Sequence, residues 1–344
     1  VEPQVQMVYQ RTHFDAVPIS GAIVRQDTHG GWIGLLGARI KDDFAAAKKV
    51  EAEYYIPHLS HAPMEPPAAT VRIVNGKAEV WGCVQSPQAT KDLVAKRLGM
   101  KPEDVTVNVT LLGGGFGRKS KPDFAIEAAV VSKAMDGKPV KLTWTREDDL
   151  VNNYFHTVSV EHLEAGLDPQ HKPVAWLHRS VAATIFSTFV EGAKNEADLE
   201  LAMGVINVPF DIKSVRIENP EAVAHTRIGW FRSVSNIPHA FAVQSFVGEL
   251  AAAAGRDPKD YLLEVIGPAR RISPEQLSDK WNHGENPELY PVDTGRLRRV
   301  VETVARGLAR SEYAQAIVRS RAIWLKSTNT RRPRSSFLHL VVTR

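Results

Sequence analysis

Residues 113–119 read Gly-Gly-Gly-Phe-Gly-Arg-Lys, and this run constrains the chain more than any other feature. Four glycines in five positions open backbone conformations closed to other residues and let a second surface approach the main chain closely. Before the run, Val105, Val107 and Val109 alternate with Thr106, Asn108 and Thr110, the pattern of a strand with one buried face. After it, Phe124, Ala128, Val131 and Met135 recur at helical spacing, with Ser120 as the expected N-cap and Asp123 three residues on. Asp136-Gly137 and Pro139 end that helix, and residues 140–144 begin another strand. Strand, glycine run, helix and strand make a βαβ unit. The expected fold class is α/β (mixed α+β), with βαβ units and mixed sheets.

A glycine run between a strand and a helix is a physical anion trap, because successive amides can point one way and the helix start adds positive partial charge. Two phosphate motifs fail against it. The dinucleotide pattern G-x-G-x-x-G fits Gly113 and Gly115 but needs glycine where Arg118 stands. The nucleoside-triphosphate loop needs glycine directly before Lys119-Ser120, and Arg118 occupies that place as well. The bland alternative is a tight turn with no ligand, but four glycines around Phe116 exceed what such a turn needs.

The remaining elements are read from local signals. Residues 71–74 and 77–80 flank Asn75-Gly76 as a hairpin, and Gly99 closes a helix over residues 90–98. Residues 174–181 and 212–217 are strand-like. Residues 238–254 form a helix with Val243, Phe246, Val247, Leu250, Ala251 and Ala254 inward. Asp257-Pro258 opens the next helix, and Leu297, Val300, Val301 and Val304 mark another. The single cysteine, Cys83, is expected to be buried and inert; it excludes an internal disulfide and any thiolate-held cluster within this chain. No run of about 18 apolar residues suggests a membrane span. The start, Val1-Glu2-Pro3-Gln4, reads as a mature, processed or internal one. Net charge is +4, but residues 301–344 carry +7 and the first 300 carry −3, so a nucleic-acid-coating surface is disfavoured.

The glycine run resembles the molybdopterin-binding loop of the xanthine oxidase family of molybdenum hydroxylases. Five other segments are similar to that family in the same order: residues 61–66 (His-Ala-Pro-Met-Glu-Pro), 81–88 (Trp-Gly-Cys-Val-Gln-Ser-Pro-Gln), 229–234 (Gly-Trp-Phe-Arg-Ser-Val), 246–250 and 290–297. The branch is that of the isoquinoline 1-oxidoreductase large subunit and bacterial aldehyde dehydrogenases, and the likeness spans residues 44–306. It implies the family's molybdopterin-binding domain over 46–296, a partial N-terminal segment over 1–45, and over 297–344 the start of a second, incomplete molybdopterin-binding domain with a basic tail. It places Gln85, Gly114, Gly115, Phe116 and Gly117 at the cofactor, with Arg232 holding the cofactor's loop. Molybdenum itself would be held by the pterin dithiolene, not by a protein ligand. The implied cofactor is molybdopterin in its cytosine dinucleotide form, with 2Fe–2S clusters on a separate small subunit and a cytochrome c subunit as a further partner. A periplasmic or periplasm-facing site is favoured over a cytoplasmic one.

The implied reaction hydroxylates an aldehyde or an N-heterocycle with water as oxygen donor, and Ser120, standing where purine-oxidising members have glutamate, disfavours purines. No nucleic-acid partner is expected. The family's base glutamate lies in a Gly-x-Gly-Glu motif that this chain lacks, since Asn282 precedes Gly284-Glu285 and Phe246 precedes Gly248-Glu249. Two readings follow: part of a catalytic subunit whose base lies elsewhere, or a non-catalytic fragment of the same fold that binds cofactor or partner. Bland roles are preferred for His58 and His61 (no third metal ligand nearby), for Glu65 (a structural acceptor between prolines) and for Trp230 and Phe231 (core aromatics rather than a substrate funnel). His156, His162, His171 and His178 are read as surface or packing histidines.

Overall fold

The Asn75-Gly76 turn, with φ of +50° and +76°, has the twist that two-residue hairpins require. It joins β3 (Ala68–Val74) to β4 (Lys77–Gly82) antiparallel, with Val71 opposite Val80. A computed structural model describes residues 23–24, 48–277, 279 and 281–309. The basic tail over 310–344 and most of the expected N-terminal segment lie outside the described residues.

Around that hairpin a four-stranded sheet forms in the order β5-β4-β3-β6, where β5 is Val105–Val109 and β6 is Val140–Thr143. Helix α1 (Pro87–Leu98) takes Pro87 in its first turn and Gly99 as a left-handed cap at φ +72°, then carries β4 into parallel β5. Helix α2 (Asp123–Ala134) follows the glycine run and packs on β3. Val71, Val80, Val94, Val105, Phe124 and Ala128 fill the core between sheet and helices.

The strands flanking α2, β5 and β6, run parallel in one sheet as the βαβ unit requires, with the β3–β4 hairpin between them, and β4–α1–β5 is a second such unit whose strands are adjacent. Two expectations change here. Ser120 is not the N-cap: it ends a single 3-10 turn and its hydroxyl donates to the Gly117 carbonyl, while α2 begins at Asp123. The buried face of α2 is Phe124, Ala125, Ala128, Ala129 and Ser132, whereas Val131 and Met135 are exposed.

Helix α3 (Arg146–Val151), started by a Thr145–Asp148 capping box, leads to the second sheet. Its order is β1-β9-β8-β7-β2, from β1 (Ile23–Val24), β9 (Ser214–Glu218), β8 (Pro173–Ala182), β7 (Ser159–Leu167) and β2 (Lys48–Ile56). All neighbours pair antiparallel except β8 with β9. A short α4 (Asp198–Leu201) precedes β9, and α5 (Asn236–Ala253) lies across the sheet. Its Val243, Phe246, Val247, Leu250 and Ala251 meet Leu163, Ala165, Trp176 and Ile217. Helix α6 (Pro258–Ile266) is capped by Asp257, which accepts from the Lys259 and Asp260 amides at 3.0 and 3.1 Å. The short pair β10 (Arg271–Ile272) and β11 (Val292–Asp293) leads to α7 (Thr294–Ala309).

One end of the space between α5 and its sheet is polar. Glu161, His178, Ser180, Glu196 and His239 are all buried. His178 Nε2 meets Glu161 at 2.8 Å, Ser180 Oγ donates to Glu196, and His239 Nε2 lies 3.3 Å from Glu196. Of the two roles expected for His178, surface or packing, the structure shows the packing one, within this network. No helix among the described residues is long and apolar enough to cross a membrane.

Candidate functional site

The glycine run leaves the edge strand β5 and is met by three segments distant in sequence. A Cβ on Gly113 would lie 2.6 Å from the Glu65 Cβ, one on Gly115 2.3 Å from Gln85 Oε1, and one on Gly117 2.0 Å from the Trp230 carbonyl oxygen. Real side chains do not tolerate such distances, so these positions are glycine first because the chain packs against itself. The backbone adds its own demand: Gly114 and Gly117 sit at φ +96° and +102°, and Phe116 itself at +54°.

Hydrogen bonds fix each approach. The Gly113 amide donates to Glu65 Oε2 at 2.9 Å, the Gly117 amide to Gln85 Oε1 at 3.0 Å, and the Arg232 amide to the Phe116 carbonyl at 2.8 Å. Lys119, fully buried, donates to the same Glu65 oxygen at 2.6 Å. Partial burial pushes the Glu65 carboxyl up, but the Lys119 ammonium and the Gly113 amide outweigh it and hold the pKa below its ordinary value. Glu65 is therefore a locked carboxylate and a strut. Arg118, also fully buried, makes two 2.9 Å bonds to Asp123 and faces the Trp144 ring at 5.1 Å.

His61 braces the third segment. Its Nδ1 pairs with Asn153 Oδ1 at 2.9 Å, its Nε2 with the Trp230 carbonyl at 2.7 Å, and its ring stacks on Phe231 at 4.4 Å. His156, buried, meets Phe231 edge-on at 5.8 Å. Burial pushes its pKa down to about 4, so its ring is neutral. Within this frame Ser233 and Val234 adopt φ of +74° and +46°, conformations that non-glycine residues keep only where surroundings impose them.

What remains unengaged defines the site. The amides of Gly114, Gly115 and Phe116 donate to no described residue, although Gly115 is buried. A row of main-chain donors without partners among the described residues is a place where another molecule's acceptors fit. The Gln85 Nε2 group has no partner among the described residues, and neither has the exposed Arg232 guanidinium. Gln85, residues 114–117 and Arg232 are thus brought to one place, with donors free. The frame that holds them, Glu65–Lys119, Arg118–Asp123 and His61–Trp230, was missed as a frame; its signal was the charged pair directly after a glycine run.

The other expected positions fall elsewhere. His58 Nδ1 engages the His156 carbonyl at 2.7 Å and His61 is fully used, so the two do not converge on a shared metal position. Cys83 is buried. Trp230 is half-buried and lies 6.1 Å from the exposed Phe189. Among the described residues one group has metal-ligand spacing, Glu51, His162 and Glu164, which no sequence spacing suggested. Lys49 Nζ sits 2.9 Å from both Glu51 and Glu164 and already supplies the positive charge there.

Known proteins resemble the chain along this same stretch. A family model described as a molybdopterin cofactor-binding domain matches residues 32–262. The isoquinoline 1-oxidoreductase subunit beta of Brevundimonas diminuta is 30% identical over 216 residues, covering 61% of this chain and 27% of its own length. A membrane-bound aldehyde dehydrogenase (pyrroloquinoline-quinone) of Gluconacetobacter polyoxogenes is 30% identical over 239 residues, covering 65% and 30%. Among solved structures, quinoline 2-oxidoreductase from Pseudomonas putida 86 superposes with a TM-score of 0.57 at 19% identity, over 85% of this chain and 37% of that one. The chain thus spans less than a third of the length of these two curated relatives.

Proposed function

The chain belongs to the molybdopterin cofactor-binding domain family, and from that premise we propose that it forms the pterin-binding part of a molybdenum-dependent oxidoreductase subunit acting on an aldehyde or an N-heteroaromatic compound. The observation that supports this reading is the row of unengaged donors at residues 114–116, beside Gln85 and Arg232, on a loop whose own packing is complete without them.

A bound molybdopterin supplies two-electron redox chemistry and a site at which water becomes the oxygen donor. The chain's residues do the rest of what can be read here. Gln85 is oriented by accepting from the Gly117 amide, which turns its Nε2 outward as a donor. The amides of Gly114, Gly115 and Phe116 present further donors for oxygen or sulfur acceptors, and a Cβ at Gly115 would displace Gln85. Arg232 is anchored through its own amide on Phe116, leaving its cation for the cofactor's anionic part. Glu65 takes no proton in this scheme because Lys119 and Gly113 hold it ionised.

The base glutamate is assigned to a part of the polypeptide beyond this stretch. An iron–sulfur subunit receives the electrons, a cytochrome c subunit is a further acceptor, the pterin carries cytosine dinucleotide, and the complex faces the periplasm. The reading of a non-catalytic binding fragment draws on one observation: the carboxylate that touches the loop among the described residues is locked.

The test is molybdenum and pterin content in the full polypeptide, purified gently with the chains that accompany it. Stoichiometric metal is expected, with a marked loss in Gly115→Ala and Gln85→Ala. A folded, metal-free protein from molybdate-replete cells would overturn the proposal.

A further inference from the structure

Just past the glycine loop, three cations surround one ring. The Tyr154 centroid lies 5.3 Å from the Arg118 guanidinium, 5.5 Å from Lys121 Nζ and 4.9 Å from the Arg227 guanidinium. Asp123 pairs directly with this group, and both its oxygens are taken by Arg118. Neither Lys121 nor Arg227 has a carboxylate partner among the described residues. Lys121 is half-buried, 4.6 Å from the Phe189 ring, and bonds Thr188 Oγ1 at 3.4 Å. Contact with aromatic faces offsets part of the cost of holding an ammonium out of water, but it does nothing to relieve repulsion between neighbouring cations. Two cations are left without a direct carboxylate partner among the described residues, beside an aromatic wall of Tyr154, Phe189 and Trp230.

The same wall borders the candidate site. Phe189 leans on Trp230, whose carbonyl packs against Gly117, and Gly229 lies so close that a Cβ there would meet the Tyr154 Cβ at 2.8 Å. Lys121 is four residues from Gly117 along the chain.

We propose that Lys121 and Arg227 receive the carboxylate of an aromatic substrate, whose ring lies against Phe189 and Trp230. The inference rests on the proposed function for the word substrate, and narrows it to aromatic or heteroaromatic compounds that carry an acidic group. Half-burial lowers the Lys121 pKa against the pull of Asp123, which is the state of a cation waiting for a closer anion. Arg118 is a positioning residue in this arrangement: paired with Asp123, it sets the face of Tyr154 and withholds that carboxylate from Lys121.

Benzoate is the probe, titrated into the full polypeptide and followed by ligand-observed NMR. Benzoate is expected to bind at least about tenfold more tightly than benzamide, which keeps the ring and lacks the charge. Lys121→Met and Arg227→Met are each expected to weaken benzoate by about tenfold, and Lys121→Arg to retain most of the affinity. Thermal melts of each variant report folding; if Lys121→Met melts early, Lys121→Arg and Arg227→Met carry the test. Equal binding of benzoate and benzamide, or undiminished benzoate binding by the doubly substituted protein, overturns the proposal. Inorganic phosphate displacing benzoate at equal concentration overturns it too, in favour of a phosphate site. Molybdenum content is read on the same samples: its absence with charge-dependent benzoate binding intact refutes the functional reading alone. Its presence with no charge dependence refutes this inference alone.

Discussion

The polar cluster under α5 and the glycine loop both gather charge against main chain, yet they are finished to different degrees. In the cluster, Glu161, Ser180, Glu196 and His239 use every side-chain oxygen and ring nitrogen on one another or on nearby backbone; His178 Nδ1 is the exception. At the loop, Glu65 holds Lys119 and the Gly113 amide, and Arg118 holds Asp123 with only its Nε left over, but Gln85 Nε2, Arg232 and three consecutive amides have no partner among the described residues. The first region is closed and structural. The second is a closed frame around open donors, as a surface prepared for a ligand needs to be.

Breaking the closed region should cost the most stability. His239→Ala leaves Glu196 and Glu161 buried without their cation and is expected to destabilise the protein by about 3–5 kcal/mol, read by urea denaturation. Gly117→Ala comes next, at about 3 kcal/mol, because the left-handed backbone and the Trp230 carbonyl both oppose it and His61 prevents that carbonyl from yielding. A folded Gly117→Ala protein with unchanged melting would break the account of the loop's frame.

The two histidines give opposite pH limbs. Burial alone would lower the His239 pKa, but Glu196 and Glu161 raise it to about 9. Its stabilisation is therefore complete below about 6.5 and lost as pH rises through 9. His156 is lowered to about 4 by burial, so the unfolded chain takes up a proton first and stability falls as pH drops from about 6.5 to 4. Melting temperature against pH should lose its alkaline decline in His239→Ala and flatten on the acid side in His156→Phe.

Substitutions at the open donors invert the order. Gln85→Ala removes the acceptor of the Gly117 amide and is expected to cost about 1 kcal/mol of stability, with a much larger loss of pterin. Arg232→Ala should change stability by less than about 0.5 kcal/mol, since its guanidinium has no partner among the described residues, while still lowering pterin content. Pterin retention equal to wild type in both variants would erase the distinction between the two regions.

The parts of the fold that were legible follow from short-range rules. Asn75-Gly76 takes the turn its residues allow, Gly99 closes a helix at φ +72°, and Asp257-Pro258 opens one. Ser120 was misread as a cap because its hydroxyl prefers the Gly117 carbonyl three residues back. Val131 and Met135 share a helical face with Phe124 by spacing, but the sheet lies under the Ala125–Ala129 side. Periodicity names a face and leaves its partner open.

The glycine loop shows the same boundary at the site. Sequence alone located the loop and attached Gln85 and Arg232 to it by resemblance. It did not show which segments press on the glycines, whereas the structure brings Glu65, Gln85 and Trp230 against them from 48, 30 and 113 positions away. Lys119 and Arg118, directly after the loop, are fully buried, which their place in the sequence did not show. The chain's own residues determined the turns, the caps, the strand and helix segments, and a loop able to hold an anion, because each depends on neighbours a few bonds away. Which donors stay free, which charges are sealed and which cations crowd Tyr154 were decided only when distant segments met, because desolvation and pairing exist only between surfaces that folding brings together.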